Sequence, residues 1–260
     1  MAKTDRQRHI VELVTERGEV TTNELCSLFD VSDMTIRRDL RELDKRGMLR
    51  RVFGGAVSNL GRSYEPPYRV RSSTNLEAKR AIAKKAAERI FDGDSIAFDV
   101  GTTTIEVVHA LSDKQNLTII TSSLPIANAV VSKFSLDSEI RLILTGGILR
   151  PRELSMTGHI PQQVYSEFHV DKAFVGIGGV STEGGLTEYN LEDALVKKTL
   201  IGSAREVIVL ADSSKLGRTT FASVAPLTDI HTLITDAAAP PEEVEALREL
   251  DVNVVVADQA

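Results

Sequence analysis

Along the first stretch of the chain, apolar residues return every three or four positions: Ile10, Leu13 and Val14, then Leu25, Leu28 and Phe29, then Ile36, Leu40 and Leu43. This spacing predicts three amphipathic helices. The first is expected over Thr4 to Arg17, with Gly18 as its stop. Thr21-Thr22-Asn23-Glu24 has the spacing of a capping box and opens the second. Asp30-Val31 turns into the third, which begins at Ser32 and ends at Gly47. Ser32 is placed to accept an orphan N–H of the first turn, and Asp33 to suit the positive end of the helix dipole. The period then changes. Residues 49–57, LRRVFGGAV, read as two short extended runs around Gly54-Gly55, with Arg50 and Arg51 on the first. Three helices followed by such a hairpin predict a small winged helix-turn-helix domain over residues 1–57.

Residues 58–75 contain adjacent prolines and no apolar periodicity, and read as a linker. Thr74-Asn75-Leu76-Glu77 repeats the capping-box spacing and opens an Ala-rich helix to about Phe91, with Ile82, Ala86 and Ile90 facing inward. Beyond Asp92-Gly93 short apolar runs near 95–99, 117–121, 141–145, 172–176, 206–211, 232–235 and 252–256 alternate with helical patterns at 103–111, 125–133, 161–168, 190–204 and 241–249. Strands buried on both faces read as unbroken apolar runs, so residues 76–260 are expected to form a larger α/β domain with a mainly parallel sheet covered on both sides.

Composition supports a core of that size, at 42% hydrophobic and 26% charged residues. The net charge of -6 argues against a protein that coats nucleic acid by charge alone. The basic excess is local: Ser32 to Arg51 holds seven Lys/Arg against four Asp/Glu. Thr35, Arg37, Arg38 and Arg41 fall mostly off the apolar stripe of the third helix. A short hydroxyl and guanidinium groups there suit base edges and phosphates in a major groove, where arginine pairs with guanine. The same cluster is also compatible with a solvated amphipathic face. Arg50 and Arg51 on the wing would lie on the phosphate backbone.

Cys26 is the only cysteine, which rules out an internal disulfide, and it reads as a small buried hydrophobe between Leu25 and Leu28. The five histidines show no metal-ligand spacing, so no metal and no other cofactor is expected. The N-terminus lacks the apolar core of a signal peptide and no apolar run approaches the ~18 residues of a membrane span, so no membrane partner is expected and the location is expected to be cytoplasmic.

In open parallel sheets ligands gather at the carboxyl ends of the strands. Asp99-Val100-Gly101-Thr102-Thr103-Thr104 follows the first strand and enters a helix. A tight glycine turn, helix N–H groups and three hydroxyls suit a phosphate, though the hexapeptide equally fits a plain strand-to-helix turn with threonine caps. Further loops of this kind sit at strand ends: Thr121-Ser122-Ser123, Thr145-Gly146-Gly147, Gly176-Ile177-Gly178-Gly179 with Gly184 to Thr187 behind it, and Asp212-Ser213-Ser214-Lys215. Their recurrence favours one anionic, hydroxyl-rich ligand.

Arg6, Ile10 and Val14, followed by Ser32, Thr35, Ile36, Arg37, Arg38, Asp39 and Leu40, resemble the N-terminal signature of the DeoR family of bacterial transcriptional regulators. The resemblance implies that the third helix enters the major groove, with Thr35, Arg37 and Arg38 on DNA. Asp39 belongs to the pattern, and an acid beside DNA calls for an arginine partner. The strand-end loops, with Arg71, Lys79, Glu153 and the 188–198 helix, resemble the family's effector domain, itself similar in fold to ribose-5-phosphate isomerase. What this implies is a phosphorylated sugar as effector, held among Lys79, Asp99, Gly101 to Thr104, Ser122, Gly146, Gly147, Glu153, Gly178, Gly179, Thr187, Asp212 and Lys215. Ser122-Ser123 departs from the family's usual Thr-Asn-Ser.

An isomerase with an appended DNA-binding domain is the alternative. Proton transfer beside a carbonyl needs a positioned base and a group that stabilises the enediolate. The isomerase carries an Asp-Gly-Ala-Asp-Glu loop, whereas the counterpart here, Gly178-Gly179-Val180-Ser181, has no carboxylate before Glu183. Asp99, Asp212, Glu153 and Lys215 remain candidates to meet in a pocket. The expectation is therefore a regulator rather than an enzyme: a repressor of a sugar-catabolic operon, working on operator DNA as a dimer or higher homo-oligomer, because one winged domain reads only a few base pairs.

Overall fold

The computed structural model describes residues 3–58, 61–112, 114–134 and 139–258. The chain divides into two compact units, Met1–Pro66 and Pro67–Ala260.

In the first unit the elements are α1 (Lys3–Arg17), β1 (Glu19–Thr21), α2 (Thr22–Phe29), α3 (Asp33–Lys45), β2 (Arg50–Val52) and β3 (Gly55–Val57). The apolar positions that predicted the helices build one core: Ile10 and Val14 of α1, Leu25 of α2, and Ile36, Leu40 and Leu43 of α3 are all buried. Leu28 departs from this and is exposed, while Cys26 is a free thiol packed partly buried against the core. The capping box at α2 is formed, with Glu24 N donating to Thr21 Oγ1 at 3.2 Å and Thr21 N donating to Glu24 Oε2 at 2.7 Å. The hairpin β2–β3 extends into a three-stranded sheet, because β1 pairs antiparallel with β3. Gly55 makes this possible, since a Cβ there would lie 2.1 Å from the Val20 carbonyl oxygen.

The second unit opens on α4 (Tyr68–Ser73), inside the segment expected to be a linker. Its Arg71 pairs with Glu153, Tyr68 N donates to the Arg152 carbonyl at 3.3 Å, and Lys79 Nζ donates to the carbonyls of Arg71 and Thr74. These bonds fix residues whose composition alone reads as loop. Residues 59 and 60 of that segment lie outside the described ones. The expected capping box at Thr74 to Glu77 does not form. Thr74 turns its hydroxyl back to the Val70 carbonyl, and Asn75 caps α5 (Leu76–Ala87) from a left-handed conformation without a side-chain bond. The helix also stops short of Phe91, although Ile90 is still buried.

The strand and helix alternation follows as β4 (Ser95–Phe98), α6 (Thr104–Ala110), β5 (Thr118–Thr121), α7 (Leu124–Lys133), β6 (Arg141–Leu144), β7 (Ile148–Arg150), β8 (Ser155–Thr157), α8 (His159–Ser166) and β9 (Val170–Gly176). It continues through β10 (Gly179–Ser181), β11 (Gly185–Glu188), α9 (Leu191–Gly202), β12 (Ala204–Leu210), β13 (Ala222–Ala225), β14 (Thr232–Asp236), α10 (Pro241–Arg248) and β15 (Asn253–Ala257). All seven strands expected from apolar runs form one parallel sheet in the order β15-β14-β12-β9-β4-β5-β6. Successive residues alternate faces. Ile96, Phe98, Phe174 and Ile208 face a core shared with α5, α6 and α7, while Ala97, Val175, Val207 and Val209 face one shared with α8, α9 and α10.

The sequence reading had missed β7, β8, β10, β11 and β13. Gly178-Gly179 and Gly184 to Thr187, read as loops, are edges of the hairpin β10–β11, which joins β13 in a separate antiparallel sheet. No described helix is long and apolar enough to cross a membrane.

Candidate functional site

The open face of α3 begins at Ser32. Its hydroxyl makes no cap bond to the first turn, in contrast to the expectation; it lies 3.0 Å from the Thr35 hydroxyl instead, so the two satisfy each other. Arg37 pairs with Asp33 one turn back, and both are exposed. Arg38 is 76% exposed and only loosely paired, 3.7 Å from Glu42. Arg41 and Arg50 are exposed, and Arg51 is half-buried with its backbone N–H on Asp44 at 3.2 Å. Asp39 is turned away from this face: it is buried, and accepts from Arg6 Nε at 2.7 Å and Gln7 Nε2 at 3.0 Å. The acid that would be awkward beside DNA is therefore spent on α1. Two apolar side chains of this region escaped the sequence reading. Met34, in the first turn of α3, and Phe53, at the tip of the hairpin β2–β3, are both exposed.

In the second unit the carboxyl ends of the central strands collect buried polar groups. Asp99, after β4, is buried and pairs with Lys197 Nζ of α9 at 2.5 Å; Lys197 also reaches Glu188 at 3.2 Å and donates to the Gly176 carbonyl at 2.5 Å. Two carboxylates thus share one ammonium. Burial pushes the Asp99 carboxyl above its usual range against the pull of Lys197. For Lys197 burial opposes the charge, but Asp99 and Glu188 outweigh it and hold the ammonium above its ordinary value. Neither Glu188 nor Lys197 was named as a site residue from sequence. The available signal was Lys197's helical register with Ala194, Leu200 and Ile201, all buried.

A second cluster gathers around Asp212, after β12. It accepts from Ser214 N at 3.1 Å and from Asn75 Nδ2 at 3.3 Å. Burial opposes its charge, but Lys215, the Ser214 donors and Lys79 together hold its pKa below the usual carboxylate range. Lys215 stands over the Tyr189 ring at 5.7 Å. Glu153 joins this side through Arg71, whose carbonyl Lys79 holds.

The remaining candidates separate. Thr102, Thr103 and Thr104 are buried, and Thr104 Oγ1 donates to the Gly101 carbonyl at 3.0 Å. The buried Ser122 and Tyr165 hydroxyls face each other, yet neither completes a hydrogen bond of ordinary geometry; burial pushes the phenol pKa up. Gly146 and Gly147 sit against Ile160 and Pro161 of α8. Thr187 is spent inside the hairpin, donating to the Gly179 carbonyl at 3.2 Å and accepting from Thr220 N at 2.9 Å. Gly179 is there because the Arg218 carbonyl oxygen would lie 2.3 Å from any Cβ. Among the described residues no group of three or more His, Cys, Asp or Glu stands where it could hold a metal ion.

The family model for a DeoR-like helix-turn-helix domain matches residues 6–61, and that for the DeoR C terminal sensor domain matches residues 74–237. The chain is 36% identical over 247 residues to the glycerol-3-phosphate regulon repressor of Escherichia coli (strain K12), covering 95% of this chain and 96% of that protein. It is 37% identical over 254 residues to the uncharacterized HTH-type transcriptional regulator YulB of Bacillus subtilis (strain 168), covering 98% and 96%. Among solved structures, the full-length sorbitol operon regulator SorC from Klebsiella pneumoniae is 12% identical with a TM-score of 0.40, covering 95% of this chain and 99% of that one. Ribose 5-phosphate isomerase from Plasmodium falciparum is 14% identical with a TM-score of 0.37, covering 53% and 51%. Neither structural likeness is close enough to carry an argument.

Proposed function

This chain belongs to the DeoR family of DNA-binding transcriptional regulators, and on that premise we propose that it represses a sugar-catabolic operon and is released from its operator by a phosphorylated sugar bound in the second unit. It is a regulator and not an enzyme. The proposed DNA contacts are Ser32, Thr35, Arg37, Arg38 and Arg41 on α3, with Arg50 and Arg51 on the hairpin. The protein works in the cytoplasm as a dimer or higher oligomer, since one winged domain reads too few base pairs for tight operator binding.

The effector reading rests on one observation, the concentration of buried polar side chains at the carboxyl ends of the parallel strands. Asp99, Thr103, Ser122, Glu188, Lys197 and Asp212 are all buried there. Burying polar groups costs stability, so a fold that gathers them at the one edge where ligands bind has a use for them. The lysines beside Asp212 suit an anionic group and the hydroxyls suit a sugar. The naming of one relative for the glycerol-3-phosphate regulon supports the same ligand class.

The contact assignment is tested by Arg38→Ala. Each base-contacting arginine is typically worth about 1–3 kcal/mol, so operator affinity is expected to fall roughly 5–150-fold while the melting temperature stays unchanged. Arg50→Ala, by contrast, should weaken all DNA alike and reduce the salt slope by about one. Full operator affinity in Arg38→Ala refutes the assignment.

Induction is tested by titrating operator with and without each of a panel of sugar phosphates at fixed salt. An effector acts only through its differential affinity for two states, and coupling of about 1–3 kcal/mol corresponds to roughly 5–150-fold. Linkage requires saturating operator to weaken the sugar phosphate by the same factor. Thr103→Val, which keeps the shape but removes a hydroxyl, is expected to weaken the ligand and leave ligand-free DNA binding intact. Equal ligand affinity with and without operator rules out induction through this site.

A further inference from the structure

The tip of the hairpin β2–β3 is apolar where turn chemistry favours the opposite. Two-residue turns ordinarily take Asn, Asp or Gly, yet Phe53 stands there at 107% relative exposure, beside Val52 at 41%. A phenylalanine left wholly in water forgoes about 1.5–3 kcal/mol of burial. Isolated exposed apolar residues are common and by themselves mean little. Three features set this one apart.

The tip is rigid. Gly54 takes the left-handed conformation (φ +82) and its carbonyl accepts from Thr22 N at 2.7 Å, while Gly55 packs its Cα against the Val20 carbonyl. It is also preceded by cations, with Arg50 exposed and Arg51 following it on the strand that leads to Phe53. Finally, the hairpin follows directly from α3, joined to it by Met48 N on the Leu43 carbonyl at 3.0 Å and Arg51 N on Asp44. A hairpin fixed beside a helix that lies in the major groove meets the next phosphate ridge and the minor groove beyond it.

An aromatic ring carried just beyond two arginines on a stiff support has the chemistry of a minor-groove wedge. Such rings enter between base steps, partly unstack them, and act best where the duplex deforms easily, at pyrimidine–purine steps. We infer that Phe53 inserts into the minor groove flanking the site read by α3 and adds a preference for a flexible base step there. The inference rests on the DNA-binding reading above and goes beyond it, because the arginines position the hairpin without reading sequence.

The test uses the full-length protein and a duplex selected by it from a random library, with 2-aminopurine placed in turn at each step flanking the conserved core of the selected site. Wild type is expected to raise the fluorescence at one flanking step, reporting unstacking. Phe53→Ala should abolish that rise, lower affinity roughly tenfold, the loss of one well-made base contact, and relax the selected sequence at that step. Phe53→Trp should retain all three. Because the ring touches nothing in the unit, the melting temperature of Phe53→Ala should equal wild type. Affinity within twofold of wild type together with an unchanged 2-aminopurine signal overturns the inference and leaves the DNA-binding reading standing. A Phe53→Ala protein with normal DNA binding and a smaller sedimenting mass also overturns it, placing Phe53 between copies of the chain. If wild type selects no sequence at all, the DNA-binding reading itself fails.

Discussion

Lys197→Met is expected to lower the melting temperature of the second unit by roughly 6–20 °C. The ammonium is 2% exposed and is shared by two buried carboxylates, Asp99 and Glu188. Removing one partner of a buried ion pair costs about 3–5 kcal/mol, because the partner left behind has neither water nor countercharge. For a domain of this size each kcal/mol shifts the melting temperature by about 2–4 °C. Methionine preserves most of the side-chain volume, which separates the electrostatic loss from a cavity. The loss should also depend on pH. Without the ammonium the Asp99 carboxyl, which burial already holds above its usual range, loses the pull that opposed burial and is driven further towards its neutral form. Such groups cost stability once pH climbs past the unfolded value, and the deficit should therefore shrink between about pH 8 and about pH 4. Calorimetry of the full chain at those two pH values reads both effects. Adding Asp99→Asn and Glu188→Gln to the variant should recover much of the loss, since the stranded charges are then gone. A pH-independent deficit, or no recovery, means that Lys197 acts through packing alone.

Asp39→Ala should damage the first unit comparably. The carboxylate is 2% exposed and its partner Arg6 11%, so the pair lies mostly out of water, and Gln7 depends on the same carboxylate. The expected cost is about 2–4 kcal/mol, below the fully buried case because Arg6 keeps some access to solvent. In a unit this small each kcal/mol is worth about 4–8 °C, so the first transition should move down by roughly 10–30 °C. Operator binding is then expected to fail near the new transition and to return on cooling. Lost binding with an unmoved transition contradicts this account and puts Asp39 at the DNA instead.

What could be read in the sequence follows from burial. The seven parallel strands were legible because strands covered on both faces, such as Ile96 to Phe98 or Val207 to Leu210, are unbroken apolar runs. The strands that escaped are three or four residues long, too short for an alternation to show, and two of them, Gly179–Ser181 and Ser155–Thr157, are built mostly from Gly, Ser and Thr, which compose turns equally well. At the site, Asp99 and Asp212 could be found because each stands within two residues of a strand's carboxyl end. Lys197 could not be found that way: Val-Lys-Lys inside a helix looks like a solvated face until the register shows which lysine is turned inward. Asp39 lay between, recognised as an anomaly in need of an arginine, with Arg6 identified only by the packing of α1 against α3.

The strand order sets a timetable for synthesis. β4 lies inside the sheet and β9 at its middle, paired with β4, so the sheet cannot close until Val170–Gly176 has left the ribosome. The three helices and hairpin of the first unit use local contacts and fold within milliseconds of emerging, whereas non-local parallel pairing is slow even when the chain is complete. At ordinary translation rates the stretch from Pro66 to Gly176 takes roughly 5–20 s to appear. Throughout that interval each nascent chain carries a folded first unit while the sheet of the second is still incomplete. Every newly made molecule therefore passes through a stage in which the helix-turn-helix unit stands folded while the proposed effector site does not yet exist.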